Sequence, residues 1–209
     1  MIATRFKTFK VGPKNQKLLD SGAMPGMPDN SGYDVLIETD VHITTLMELG
    51  HIAISPEDQQ IAADILTYPN EGKVERRLEL FEFPKRADYG RDGVDEGFVR
   101  ERLQHFGYRP GTLVELLCFG RHIRALHEND WFEARNIIAL GSVATSRQPV
   151  RKATWFSREV IGTYRHYPEL ICVAGRPLDE VKLSTTEVDS DGNWNNDILF
   201  LAAPIYSLH

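Results

Sequence analysis

Val94-Asp95-Glu96-Gly97-Phe98-Val99-Arg100-Glu101-Arg102-Leu103-Gln104-His105-Phe106-Gly107 and, five residues on, Thr112-Leu113-Val114-Glu115-Leu116-Leu117 carry the first decision about the fold. In the first stretch Val94, Phe98, Val99, Leu103 and Phe106 recur at helical spacing, and Gly107 offers the left-handed stop. The pattern predicts an amphipathic helix over 94–106. In the second, Thr112 and Glu115 form a capping box, each able to satisfy a backbone N–H of the other. This box opens a second amphipathic helix with Leu113, Leu116, Leu117 and Leu126 toward the core.

Beyond that helix the period changes. Short β-prone or apolar runs follow at 136–144, 153–161, 169–174, 181–188 and 197–203, separated by turn chemistry such as Gly175-Arg176-Pro177 and Asp189-Ser190-Asp191-Gly192-Asn193. The expected architecture is therefore α+β, with two amphipathic helices packed on a small, mostly antiparallel sheet over residues 94–209. Upstream, residues 1–93 read as an N-terminal α/β segment. Strands are expected near 5–11, 33–37 and 77–83, a helical turn at 16–21, a Gly- and Pro-rich loop at 22–30, and a strand or short helix over 41–49. Ser55-Pro56-Glu57-Asp58 is a helix start, with serine as N-cap and Ile61, Ala62, Ile65 and Leu66 on the following face. The polar run 85–93 is the expected boundary between the two halves.

Composition narrows the functional classes. The chain has 209 residues and 42% hydrophobic content, enough for one well-buried core or two small ones. A formal net charge of -6 and a pI near 5.7 disfavour a nucleic-acid partner, because phosphate binding requires a basic surface. The N-terminal residues Met1 to Lys10 alternate cationic and apolar side chains without the uninterrupted apolar stretch of a signal peptide. No stretch approaches a membrane span, so a soluble, cytoplasmic protein without a membrane partner is expected. Cys118 and Cys172 sit in apolar runs and are expected as buried free thiols.

Three groups of residues invite a functional reading. Arg147, Arg151, Lys152, Arg158 and Arg165 are interleaved with Trp155, Phe156, Tyr164 and Tyr167, a mixture able to hold an anionic or aromatic ligand. The ligand-binding candidates are Arg151, Trp155, Arg158, Tyr164, His166 and Trp194; a half-buried strand would show the same alternation. Asp189, Asp191, Asn193, Asn195 and Asp197 place a side-chain oxygen at every second position, as in a calcium loop. The glycine falls at the fourth position and Phe200 stands where a bidentate glutamate belongs, so a polar hairpin explains the same letters and no cofactor is expected, calcium being the one alternative. The spacing of His122 and His127 puts them on different helix faces, and Ser142 lacks the second glycine of a nucleophile elbow.

The order Gly107-Tyr108-Arg109-Pro110-Gly111-Thr112, then Ile138-Ala139-Leu140-Gly141-Ser142, then Trp194-Asn195-Asn196-Asp197 and Leu199-Phe200-Leu201-Ala202 resembles a C-type-lectin-like domain over about residues 94–209. It is similar to the bacterial and phage branch related to formylglycine-generating enzyme. The resemblance implies a C-type-lectin-like fold more than an activity. Asn196 interrupts the Trp-Asn-Asp triplet that supplies calcium and sugar ligands in the lectins. The family's paired disulfides are absent, and Cys118 and Cys172 do not match the cysteine pair of the formylglycine-generating enzymes.

The function expected from these features is a non-enzymatic binding or accessory module for a protein or small-molecule ligand. Segments 147–155, 164–167 and 189–196 would form its recognition surface. An enzyme assembled from His122, His166, Glu115 and Asp197, or a structural subunit of an assembly, are the alternatives.

Overall fold

In the computed structural model, the described residues are 32–56, 58–59, 72–83, 94–126, 135–150, 160–173, 180–188, 193–194 and 198–205. They form eleven strands and three helices. The strands are β1 (Tyr33–Glu38), β2 (Ile52–Ile54), β3 (Lys73–Glu82), β4 (Val94–Asp95), β5 (Tyr108–Pro110), β6 (Arg135–Ile138), β7 (Ala144–Val150), β8 (Val160–Val173), β9 (Glu180–Val188), β10 (Asn193–Trp194) and β11 (Ile198–Pro204). The helices are α1 (Ile43–Gly50), α2 (Glu96–His105) and α3 (Leu113–Leu126).

One nine-stranded sheet dominates, with the order β1-β3-β11-β6-β8-β9-β2, β5 attached to β11 and β7 to β8. Its seven-strand path curls into a half-barrel. Pairing is antiparallel except for β11 with β6 and β2 with β9. β4 and β10 form a separate two-stranded ribbon.

The expected arrangement of two helices on a small C-type-lectin-like sheet, with an N-terminal α/β extension, is therefore corrected. The sheet is large, and β1, β2 and β3 are built into it: β3 bonds β1 along one edge and β11 along the other. The two helices read from the sequence also do not share a face. Val99 and Leu103 of α2 pack with Phe81, Ile138 and Phe200, whereas Leu116 and Leu117 of α3 pack with Leu78, Ile137 and Leu201. Successive strand residues point to opposite sides, so Ile137 against Ile138, and Leu201 against Phe200, assign α3 to one face and α2 to the other.

Local chemistry explains the ends of these elements. Gly107 adopts φ 81 and its N–H donates to Gln104, closing α2 as its position suggests. The capping box forms: the Thr112 N–H donates to Glu115 Oε2 at 3.0 Å and the Glu115 N–H to Thr112 Oγ1 at 3.3 Å. Ser142, buried and far along the chain, adds a third cap by accepting the Leu113 N–H at 2.8 Å. Ser142 thus bonds backbone 29 residues away in the chain. Ser55 accepts the Asp58 N–H at 3.0 Å in the way its N-cap pattern suggests; residues 61–66 lie outside the described residues, as do the elements expected within 1–31 and the boundary at 85–93.

Close packing of α3 on the sheet depends on Gly120, where a Cβ would come within 2.9 Å of Leu170 Cδ2. Beside it Phe119 is fully buried and meets Tyr33 edge to face at 5.1 Å between centroids. Cys118 and Cys172 are free, buried in this same core, and burial pushes the Cys172 thiol up to about 12.

Candidate functional site

β8 is long enough to be shared. Residues 160–166 pair with β7 and residues 169–172 with β6 on one edge, while β9 pairs along 165–173 on the other. Between β6 and β7 the chain turns away at 139–143. Pro168, which has no N–H, sits at this gap, where its carbonyl still accepts from Ala139. A residue's N–H and C=O point to the same strand edge, so the missing donor falls where no ladder partner would have used it.

Alternation along β8 then sorts its side chains. Leu170 and Cys172 point into the α3 core. Arg165, Tyr167 and Glu169 point to the α2 side, where Tyr167 packs with Val99, Leu103 and Leu140. Across the register, Thr186 of β9 faces Tyr167, and Ile138 of β6 and Ser184 of β9 flank Glu169. A row of polar groups thus lies on one strand face, rimmed by hydroxyls on the β9 side.

The first turn of α2 reaches this row through Glu96. Its Oε2 accepts from Tyr167 Oη and Arg165 Nη1, each at 2.5 Å, and its Oε1 accepts from Arg100 Nε at 2.5 Å. Arg100 continues through Nη2 to the Leu140 carbonyl at 2.5 Å, tying α2 to the 139–143 turn. Burial pushes the Glu96 carboxyl up, but the Tyr167 hydrogen bond and the Arg100 and Arg165 guanidiniums outweigh it and hold the group below the usual carboxylate range. The positive end of α2 acts in the same direction. Tyr167 moves the opposite way: burial and the Glu96 carboxylate raise its hydroxyl.

Glu169, two residues along, meets a different environment. It is 8% exposed, and its Oε2 accepts from Thr186 Oγ1 at 2.5 Å. Burial raises its carboxyl, hydrogen bonds from Thr186 and Asn136 offset part of that, and the charge of Asp58 raises it further. Asp58 itself is held by β9, accepting from the Thr185 N–H at 2.9 Å and Thr185 Oγ1 at 2.7 Å. Against one stretch of β8 the protein therefore lowers the carboxyl of Glu96, from α2, and raises that of Glu169, from the strand itself.

Of the residues singled out in the sequence, Arg165 and Tyr167 belong to this row. His166 is buried on the opposite face of β8, opposite Ala144 in the register, so the fold separates it from Arg165 and Tyr167. Tyr164 lies in β8 opposite Ser146, and Asn193 and Trp194 lie in β10 opposite Asp95 and Val94. Arg151, Trp155, Arg158, Asp189, Asp191, Asn195 and Asp197 lie outside the described residues. Among the described residues no group of three or more His, Cys, Asp or Glu could hold a metal ion, and no helix is long and apolar enough to cross a membrane.

The histidine and carboxylate of the enzymatic alternative are engaged elsewhere. Glu115 is 3% exposed, accepts from Arg109 Nη1 and Nη2 at 2.8 and 2.6 Å, and has Arg76 Nη1 at 3.6 Å. His122 lies edge-on to Tyr33, and burial lowers its ring below the usual imidazole value. Sequence reasoning passed over Glu96, Asn136, Glu169 and Thr186. The available signal was Glu169 itself, a carboxylate set between Pro168 and the apolar run Leu170-Ile171-Cys172-Val173.

Compared with known proteins, the chain matches no family model, no curated protein and no solved structure.

Proposed function

We propose that the protein is a cytoplasmic, non-enzymatic binding module whose recognition site lies on the α2-side face of β8, where the exposed Arg165 leads to the buried Tyr167 and Glu169. The observation that supports this reading is the pairing of opposite electrostatic characters along four residues of strand, about 13 Å. A guanidinium–carboxylate–phenol group stands at one end, and a buried, hydroxyl-flanked carboxyl at the other. Such a row discriminates ligands by where their donors and charges fall, and a sheet holds that spacing with little loss of entropy on binding. The ligand class that fits is a small polar molecule carrying a cationic or amide donor for Glu169 and an acceptor for Arg165.

The test is a ligand-observed NMR screen of amine-, amide- and carboxylate-bearing fragments against wild type and Glu169→Gln. Fragments whose saturation transfer is lost in the variant support the reading; a hit set shared unchanged by both proteins removes it. A second reading, an enzyme with Glu169 as proton donor, is favoured by the raised carboxyl alone. It predicts chemical turnover of a bound fragment by wild type and none by Glu169→Gln.

A further inference from the structure

Arg102 lies on α2, two turns away from Glu96, and is 4% exposed. Its guanidinium carbon stands 5.4 Å from the centre of the Phe98 ring, one turn earlier on the helix. Its Nε and Nη2 are both closed to solvent and meet no acceptor. Those two nitrogens are not an arbitrary pair. Nε–H and one Nη2–H point the same way and form the side-on fork by which arginine grips both oxygens of a carboxylate or phosphate.

Magnitudes decide whether the ring can substitute for an acceptor. A desolvated cation–π contact returns only part of what removing an unpaired ion from water costs. The ring leaves a deficit. Burial accordingly disfavours the charged form of Arg102, and the neighbouring Glu101 charge offsets only part of this without bonding the fork. The position of Arg102 in the last turn of α2 favours a cation, but too weakly to offset its burial.

We infer that the Arg102 fork is a receptor for a small oxyanion, a carboxylate or a phosphate, bound side-on through Nε and Nη2 above the Phe98 ring. The occupant is small because both nitrogens are closed to solvent; an ion of a few atoms reaches them through the local opening that admits water, whereas a protein surface does not. The site is separate from the β8 row and stands or falls without it.

The experiment is thermal unfolding of the full chain in chloride, acetate and phosphate at matched ionic strength and pH. Specific binding makes the wild-type midpoint climb with the logarithm of oxyanion concentration. At one hundred times the dissociation constant the rise is about 5–10 °C. Arg102→Met, which keeps the length and removes the charge, is expected to give one midpoint in all three salts. Arg102→Lys, which keeps the charge and loses the fork, is expected to need at least about tenfold more anion for the same shift. The steeper of the acetate and phosphate responses identifies the source of the oxygens. Equal wild-type midpoints in the three salts, as an internal acid in the fork would give, overturn the inference. So does an Arg102→Met response as large as wild type, which would be general salting. If Arg102→Met does not fold, calorimetric titration of wild type and Arg102→Lys with phosphate decides, equal affinities being the overturning result.

Discussion

Glu115 and Glu169 are buried to nearly the same extent, 3% and 8% exposed, yet the protein surrounds them in opposite ways. Glu115 receives two arginines and the N–H of Thr112, so its charge is fully answered. Glu169 receives two neutral donors and faces Asp58, a like charge. The first environment fixes a helix start and a sheet corner; the second stores a carboxyl that a ligand could satisfy better than the protein does. A buried acid is informative about function only after its partners have been counted.

Breaking the answered carboxylate is expected to have the largest effect. Glu115→Ala removes the carboxylate that Arg109 and Arg76 face and leaves the Thr112 N–H without its acceptor, and should cost about 2–3 kcal/mol in urea unfolding. A loss under about 1 kcal/mol would mean that the network is ornamental. Next comes the turn that braces it. A Cβ on Gly141 would lie 2.5 Å from the Gly111 carbonyl oxygen and 2.8 Å from that of Pro110, both backbone atoms. Gly141→Ala should therefore cost about 1–3 kcal/mol and, by shifting Ser142, weaken hydrogen-exchange protection at Leu113.

Glu96→Gln sharpens the contrast at the β8 row. Its carboxyl is depressed in the fold, so it contributes stability above the ordinary carboxylate value that is lost as pH falls through the folded value. Because Arg165 is half exposed, the neutral-pH loss should be about 1 kcal/mol, fading to nothing in acid. Glu169→Gln should do the reverse and by the least. Its carboxyl is raised, so the folded state holds the extra proton between the ordinary value and the folded one, and stability declines as pH rises through that window. The variant should be slightly more stable than wild type above the window and equal to it below. A destabilised Glu169→Gln at neutral pH would remove the claim that this charge is unanswered.

What the sequence made legible was local. The Thr112–Glu115 box, the Gly107 stop and the Ser55 cap depend on residues within one turn of each other, and each forms as read. The extent of the sheet was not legible, because β3 meets β1 nearby but β11 more than a hundred residues on. Ile52–Ile54 and Tyr108–Pro110 are strands by virtue of their partners, being too short to show a period. The same limit governs the site: Arg165 and Tyr167 stood out as part of a basic and aromatic cluster, whereas Glu96 joins them only because α2 crosses over β8.

The position of β11 bears on how the molecule is made. It is wedged between β3 and β6, so during synthesis β3 keeps one edge open and Phe81 one side uncovered until residues 198–204 clear the ribosome. The nascent chain thus carries an unsealed seam from the emergence of β3 until β11 follows it more than a hundred residues later.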